Sequence, residues 1–143
     1  MTRVLVLNGP NLGRLGRRQP EIYGNTTFPE LVELCRSWGA DLGLDVDTRQ
    51  TNHEGELLDW LNEAADTRTP VVLNAGAWTH YSLALYDACA QLEAPLVEVH
   101  ISEPKERPEV FRHTSYVEPH AVGTISGRGI DGYRDALHLI AGL

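Results

Sequence analysis

Residues 70–100 read PVVLNAGAWTHYSLALYDACAQLEAPLVEVH. Val71-Val72-Leu73 is a short apolar run, opened by Pro70 and ended by Asn74, the pattern of a buried strand. Tyr81 to Gln91 follows with helical spacing. Leu96-Val97-Glu98-Val99, ended by His100, is a second strand. A strand, a helix and a strand in that order make a crossover unit, and crossover units build parallel sheets.

The same alternation runs outward from this stretch. Upstream, Val4 to Leu7 reads as a strand. Thr27 can cap a helix, with Pro29 in its first turn and Glu30 three residues on. Leu31, Leu34, Cys35, Trp38 and Leu42 carry that helix to a stop at Gly43. Asp45 to Gln50 is a further strand. Glu54 to Ala65 is a helix, with Leu57, Leu58, Leu61 and Ala65 on one face. Downstream, a polar stretch broken by prolines runs from Glu103 to Arg112, and its first part, Glu103 to Glu109 (EPKERPE), reads as an exposed loop. Ala121 to Ser126 is a fifth strand, and Tyr133 to Ile140 closes as a helix. Five strands with helices on both faces predict a flavodoxin-like α/β fold, a doubly wound parallel sheet of order 2-1-3-4-5, in a single domain spanning 1–143.

That order predicts a site. In open α/β sheets ligands bind beyond the carboxyl ends of the strands, near the switch between strands 1 and 3. Asn8 to Asn11 follow strand 1, Asn74-Ala75-Gly76 follow strand 3, and His100-Ile101-Ser102 follow strand 4. The expected pocket is lined by Asn11, Asn74, His100 and Ser102. Over it lies residues 8–24, NGPNLGRLGRRQPEIYG, a long loop carrying Arg14, Arg17, Arg18 and Tyr23.

The 143-residue chain has a formal net charge of -8. This argues against a surface built to grip nucleic acid or an anionic membrane, since both need a broad positive field. No apolar run approaches the length of a membrane span. The two cysteines, Cys35 and Cys89, fall within apolar helical patterns and read as buried thiols. They suit a reducing cytoplasm. His80, His100, His113 and His120 show none of the short ligand spacings of zinc sites. Residues 127–132, GRGIDG, match GxGxxG literally, yet no strand follows and no acidic residue stands about 20 positions on, so dinucleotide binding is not expected.

The predicted pocket offers histidines (His100, His80), a phenol (Tyr23), amides (Asn11, Asn74) and guanidinium groups (Arg18, Arg112), without a nucleophile paired to a base. Such a set suits proton transfer with stabilisation of an oxyanion. A tyrosine, pKa about 10, is a poor base near neutrality. A neighbouring arginine favours the phenolate and lowers that pKa. Arg18 and Tyr23 share one loop and can form that pair. The spacing equally fits a tyrosine packed locally beside a solvated arginine. His80 alone reads as a residue near a helix cap, and Asp87 as a surface acid. Trp38, Trp60 and Trp78 read as core or interface.

At these residues the chain resembles the type II 3-dehydroquinate dehydratases almost end to end. The resemblance is carried by residues 8–24, by RQTNHEGELLDWLNEA (49–64), by LNAGAWTHYSLALYDA (73–88), and by VEVHIS (97–102) with FRHTSY (111–116). It implies a cofactor-free and metal-free anti elimination of water from 3-dehydroquinate. By the same resemblance Tyr23 removes the C2 proton, Arg18 holds the phenolate, Asn11 positions a water at the enolate, and His100 protonates the C1 hydroxyl. Asn74, His80 and Arg112 bind substrate hydroxyls, and the N–H groups of Ile101 and Ser102 take the carboxylate. Asp87 reaches a neighbouring subunit's site in a homododecamer built from trimers. The chain departs from the family pattern at Glu103, in place of a usual asparagine. It departs also at Ala75 and Tyr86, and in the 103–112 loop, with Pro104, Pro108 and one extra residue. Glu103 beside a carboxylate-binding turn is expected to weaken affinity. A flavodoxin-like module for FMN or a nucleotide, and a diverged member that binds ligand without turnover, are the competing readings.

Overall fold

In the computed structural model, which describes residues 1–143, Val4–Leu7 lies at the centre of strand β1 (Thr2–Asn8). Its side chains alternate between two faces. Val4 and Val6 meet Leu31, Cys35, Tyr133, Leu137 and Ile140. Leu5 and Leu7 meet Leu57, Leu61, Ala64, Leu85 and Cys89. Both faces are therefore covered, which is why the strand reads as an unbroken apolar run. Burying each such Val or Leu is worth about 1.5–3 kcal/mol.

The other strands are β2 (Leu44–Gln50), β3 (Val71–Asn74), β4 (Leu96–His100) and β5 (Gly123–Ser126). All pair in parallel in the order β2-β1-β3-β4-β5. Asn8 stands beside Asn74, and His100 beside Ser126. The sequence order of the sheet holds, so the carboxyl ends of β1, β3 and β4 are neighbours.

Helices α2 (Phe28–Asp41) and α5 (Asp131–Ala141) cover one face; α3 (Glu54–Thr67) and α4 (Leu83–Ala90) cover the other. The expected capping box of α2 is present: Thr27 Oγ1 accepts from Glu30 N, and the Glu30 carboxylate accepts from Thr27 N. Gly43 takes φ +74 just past this helix, a conformation that suits glycine. On α3 the buried stripe is Leu57, Leu61 and Ala64, so it ends on Ala64, while the expected Leu58 and Ala65 flank it and are only partly buried. The helix predicted over Tyr81–Gln91 is shorter, since Gly76–His80 forms a 3-10 turn first and Ser82 caps α4 through Leu85 N.

Residues 9–24 are not a free strap. Leu12 and Leu15 are buried in the α2/α5 core and pin the loop. The segment ends in one helical turn, α1 (Pro20–Tyr23). At its start the backbone must pass close to β3: a Cβ on Gly9 would stand 2.5 Å from the Ala75 carbonyl oxygen. Only glycine permits that approach.

Candidate active site

A cleft opens where the topology predicts it. Among its lining residues are Asn11, Arg18, Tyr23, Asn74, His80, His100, Ile101, Ser102 and Arg112. Nine of the ten residues proposed from sequence thus converge. The tenth, Asp87, does not line this cleft; it is exposed on α4. Arg14 and Arg17 are exposed and lie outside it as well.

Tyr23 is half-buried at the end of α1. Arg107 Nη1 donates to its hydroxyl at 2.8 Å. The Arg18 guanidinium covers the ring face, 4.6 Å from its centre, and that of Arg107 lies 5.7 Å from the same centre. Burial works to raise the phenol's pKa, but the Arg107 hydrogen bond and the charges of Arg18 and Arg107 outweigh it and hold the group below its ordinary value. Arg107 corrects the sequence reading of 103–109 as a merely exposed loop. A 3-10 turn at Pro104–Glu106 starts the excursion, and His113 Nε2 binds the Arg107 carbonyl at 2.8 Å, so the arginine is presented inward. The two basic residues of that run, Lys105 and Arg107, set among glutamates and prolines, were the available signal.

His80 donates from Nδ1 to the Thr114 carbonyl at 2.8 Å, since a carbonyl only accepts. Burial, helped by the charges of His100 and Arg112, lowers its pKa against the opposing Thr114 bond. It is therefore a neutral ring whose Nε2 can accept a hydroxyl proton. His100 stacks near it, ring centres 6.4 Å apart, and its Nε2–H donates to Glu98 Oε2 at 2.6 Å. Nδ1 of His100 has no partner within the chain and is the nitrogen available for chemistry.

Asn74 is held in a buried network that sequence reading did not anticipate. Its Nδ2 donates to the Tyr133 hydroxyl at 2.8 Å, Tyr133 donates to Asn8 Oδ1 at 2.6 Å, and Asn8 Nδ2 donates to the Arg49 carbonyl. Burial pushes the Tyr133 pKa up, so the phenol stays protonated. Asn11 adopts a left-handed conformation, φ +69, and its N–H donates to Asn52 Oδ1. Its side chain makes no other bond and is directed by this fixed backbone.

The carbonyls of Ile101 and Ser102 accept from Gly129 N and Gly127 N, each at 3.1 Å, whereas their own N–H groups have no partner within the chain. The glycine motif at 127–132 thus serves to clamp this turn. A turn with free N–H groups beside arginines is suited to a carboxylate. Glu103 turns away from it: Ser126 Oγ donates to its carboxylate, and so does Lys105 N. It lines a neighbouring hollow with Arg128 and Asp131, which shares Tyr23, Ile101 and Ser102 with the cleft. The repulsion expected from its position is reduced accordingly.

Fold and pocket together define an α/β domain whose cleft, at the carboxyl edge of a parallel sheet, brings a phenol, two histidines, arginines and a turn with free N–H groups together. The model of the family described as dehydroquinase class II matches residues 2–141. The 3-dehydroquinate dehydratase of Salinispora tropica is 63% identical over 139 residues, covering 97% of this chain and 96% of that protein. That of Mycobacterium tuberculosis is 56% identical over 138 residues, 96% and 93%. The crystal structure of a type II dehydroquinase from Propionibacterium acnes matches with TM-score 0.97 and 52% identity, over 100% of this chain and 98% of that one. A 3-dehydroquinate dehydratase-like protein from Bifidobacterium longum matches with TM-score 0.76 and 43% identity, over 99% and 97%. The chain belongs to the class II dehydroquinases.

Proposed function

We propose that this chain eliminates water from 3-dehydroquinate to give 3-dehydroshikimate, with Tyr23 as base and His100 as acid. The observation that carries the reading is a phenol flanked by two guanidinium groups in the same cleft as a histidine held by a carboxylate. The Tyr23 phenolate takes the C2 proton. The electron pair moves into the C3 carbonyl as an enolate, which Asn11 stabilises through a bound water. As the ketone re-forms, a C1=C2 double bond appears and the C1–O bond breaks. His100 gives its Nδ1 proton to the departing hydroxyl, which leaves as water. Hydroxide is a poor leaving group without this proton, so acid and base must act in one pocket.

The Ile101 and Ser102 N–H groups receive the substrate carboxylate. Asn74, neutral His80 and Arg112 receive ring hydroxyls. Arg112 is braced for this by Glu109, 2.9 Å away. Every step uses groups of the chain itself, so the reading calls for no cofactor. It takes the chain as one catalytic domain, 1–143. Assembly into a homododecamer of trimers is part of the proposal; exposed Asp87, beside Tyr86 and Leu83 on α4, is the group that would reach a neighbouring site. A cytoplasmic location is supported by two buried, unpaired cysteines. No helix is long and apolar enough to cross a membrane.

Mixing the purified protein with 3-dehydroquinate should produce the ultraviolet absorbance of the conjugated enone. Tyr23→Phe should lower kcat by about 1000-fold or more while substrate still binds by calorimetry. No absorbance rise with folded protein would refute the activity, and a near-normal kcat for Tyr23→Phe would refute the base.

A further inference from the structure

Residues 49–55, RQTNHEG, carry part of the family resemblance, yet none of them lines the cleft. They form the end of β2 and the turn beyond it. This end is tied to the end of β1: Asn8 Nδ2 donates to the Arg49 carbonyl at 3.1 Å, and Thr51 N donates to the Asn8 carbonyl at 3.0 Å. The same segment grips the loop that opens the site. Gln50 Nε2 donates to the Gly9 carbonyl at 3.1 Å and to Asn52 Oδ1 at 3.0 Å. Asn52 Oδ1 accepts a second bond, at 2.9 Å, from the N–H of Asn11. The backbone partners fix the orientation of both amides, because a carbonyl only accepts and an N–H only donates. The fit is close: a Cβ on Gly13 would stand 2.9 Å from Gln50 Oε1.

Three non-glycine residues stand at positive φ: Asn11, Gln19 and Arg68. Of these, Asn11 alone lines the cleft, and its N–H alone is taken by a side chain. Its carbonyl is taken too, by Arg14 N at 3.1 Å. Both backbone groups are thus engaged, while the carboxamide has no partner within the chain. Left-handed backbone is unfavourable for residues with a side chain, and it persists where the surroundings over-determine it, commonly at functional sites. We infer that Asn52, braced by Gln50, is the positioning residue of Asn11. It holds the Asn11 backbone left-handed, so that the free carboxamide is presented to the cleft. This rests on the reading of Asn11 as the group that serves the enolate. Strand β2 adds no lining residue, and it enters the machinery through this one backbone N–H.

Asn52→Ala removes the acceptor at an exposed position, outside the core. With 3-dehydroquinate, kcat should fall about tenfold with KM within about threefold, because the enolate exists only after substrate has bound and lost its C2 proton. Asn52→Asp keeps the acceptor. In high salt, which screens its added charge, it should hold kcat within about threefold of the parent. In an Asn11→Ala background, adding Asn52→Ala should change the residual rate by less than about twofold. A loss of equal size in that background, a change confined to KM, an Asp variant as slow as the Ala one, or no loss at all would overturn the inference. On the unaltered protein, amide hydrogen exchange followed by NMR should show the Asn11 N–H protected, and Asn52→Ala should release it. An Asn11 N–H that exchanges as fast as an unbonded one would also overturn the inference; that measurement needs neither turnover nor a variant. A protected Asn11 N–H in a parent protein without turnover would instead count against the dehydratase reading.

Discussion

Arg107 Nη1 donates to the Tyr23 hydroxyl at 2.8 Å, joining residues 84 positions apart in the chain. Arg18, five residues from Tyr23, covers the ring instead of meeting the hydroxyl. The two arginines therefore favour the phenolate differently, Arg107 by a charged hydrogen bond and Arg18 by its field. Hydrogen bonds from ionised donors are the stronger sort.

Arg107→Met should therefore raise the Tyr23 pKa, which burial already pushes upward. The base works only when deprotonated. A higher pKa moves the acidic limb of kcat/KM to higher pH and lowers activity at pH 7, by about tenfold for each unit. Raising the pH should recover part of the loss. A pH–rate profile checks this, and an unmoved acidic limb would remove Arg107 from the base.

Glu103→Asn, which restores the residue usual in the family, should change KM by less than about threefold. The Glu103 carboxylate is bonded to Ser126 and Lys105 N, away from the Ile101–Ser102 turn. Exposed or turned-away charges contribute little. A KM drop of tenfold or more would mean that the acid repels substrate after all.

Tyr133→Phe should leave Asn8 and Asn74 each short of a partner in a buried site. The cost in stability is about 1–3 kcal/mol. Thermal unfolding measures it. Substrate KM should rise as well, because Asn74 loses the bond that orients it; stability lost with KM unchanged would limit Tyr133 to a structural part.

Cys35 and Cys89 are buried, and burial pushes each thiol's pKa up to about 12. The thiolate is the reactive form. Neither residue should react with a thiol reagent at pH 8 until the protein is unfolded, when both should react. Fast labelling of the native protein would contradict the packing around α2 and α4.

Much of this protein is legible in its sequence because the signals are local. The apolar runs at 4–7, 71–73 and 96–99 mark strands buried on both faces, and the Thr27–Glu30 capping box marks a helix start. From alternating strands and helices the sheet order follows, and with it the meeting of Asn11, Asn74 and His100. What only the tertiary structure decided are the contacts between segments far apart in the chain. Arg107 turns into the cleft, Glu103 turns out of it, Tyr133 reaches back to Asn8, and Thr79 and Ser115 close on Glu98. Periodicity places a residue on an element and a face. The path of a loop and the rotamer of a charged side chain depend on which partners packing brings within about 3 Å, and one sequence read locally does not contain that distance.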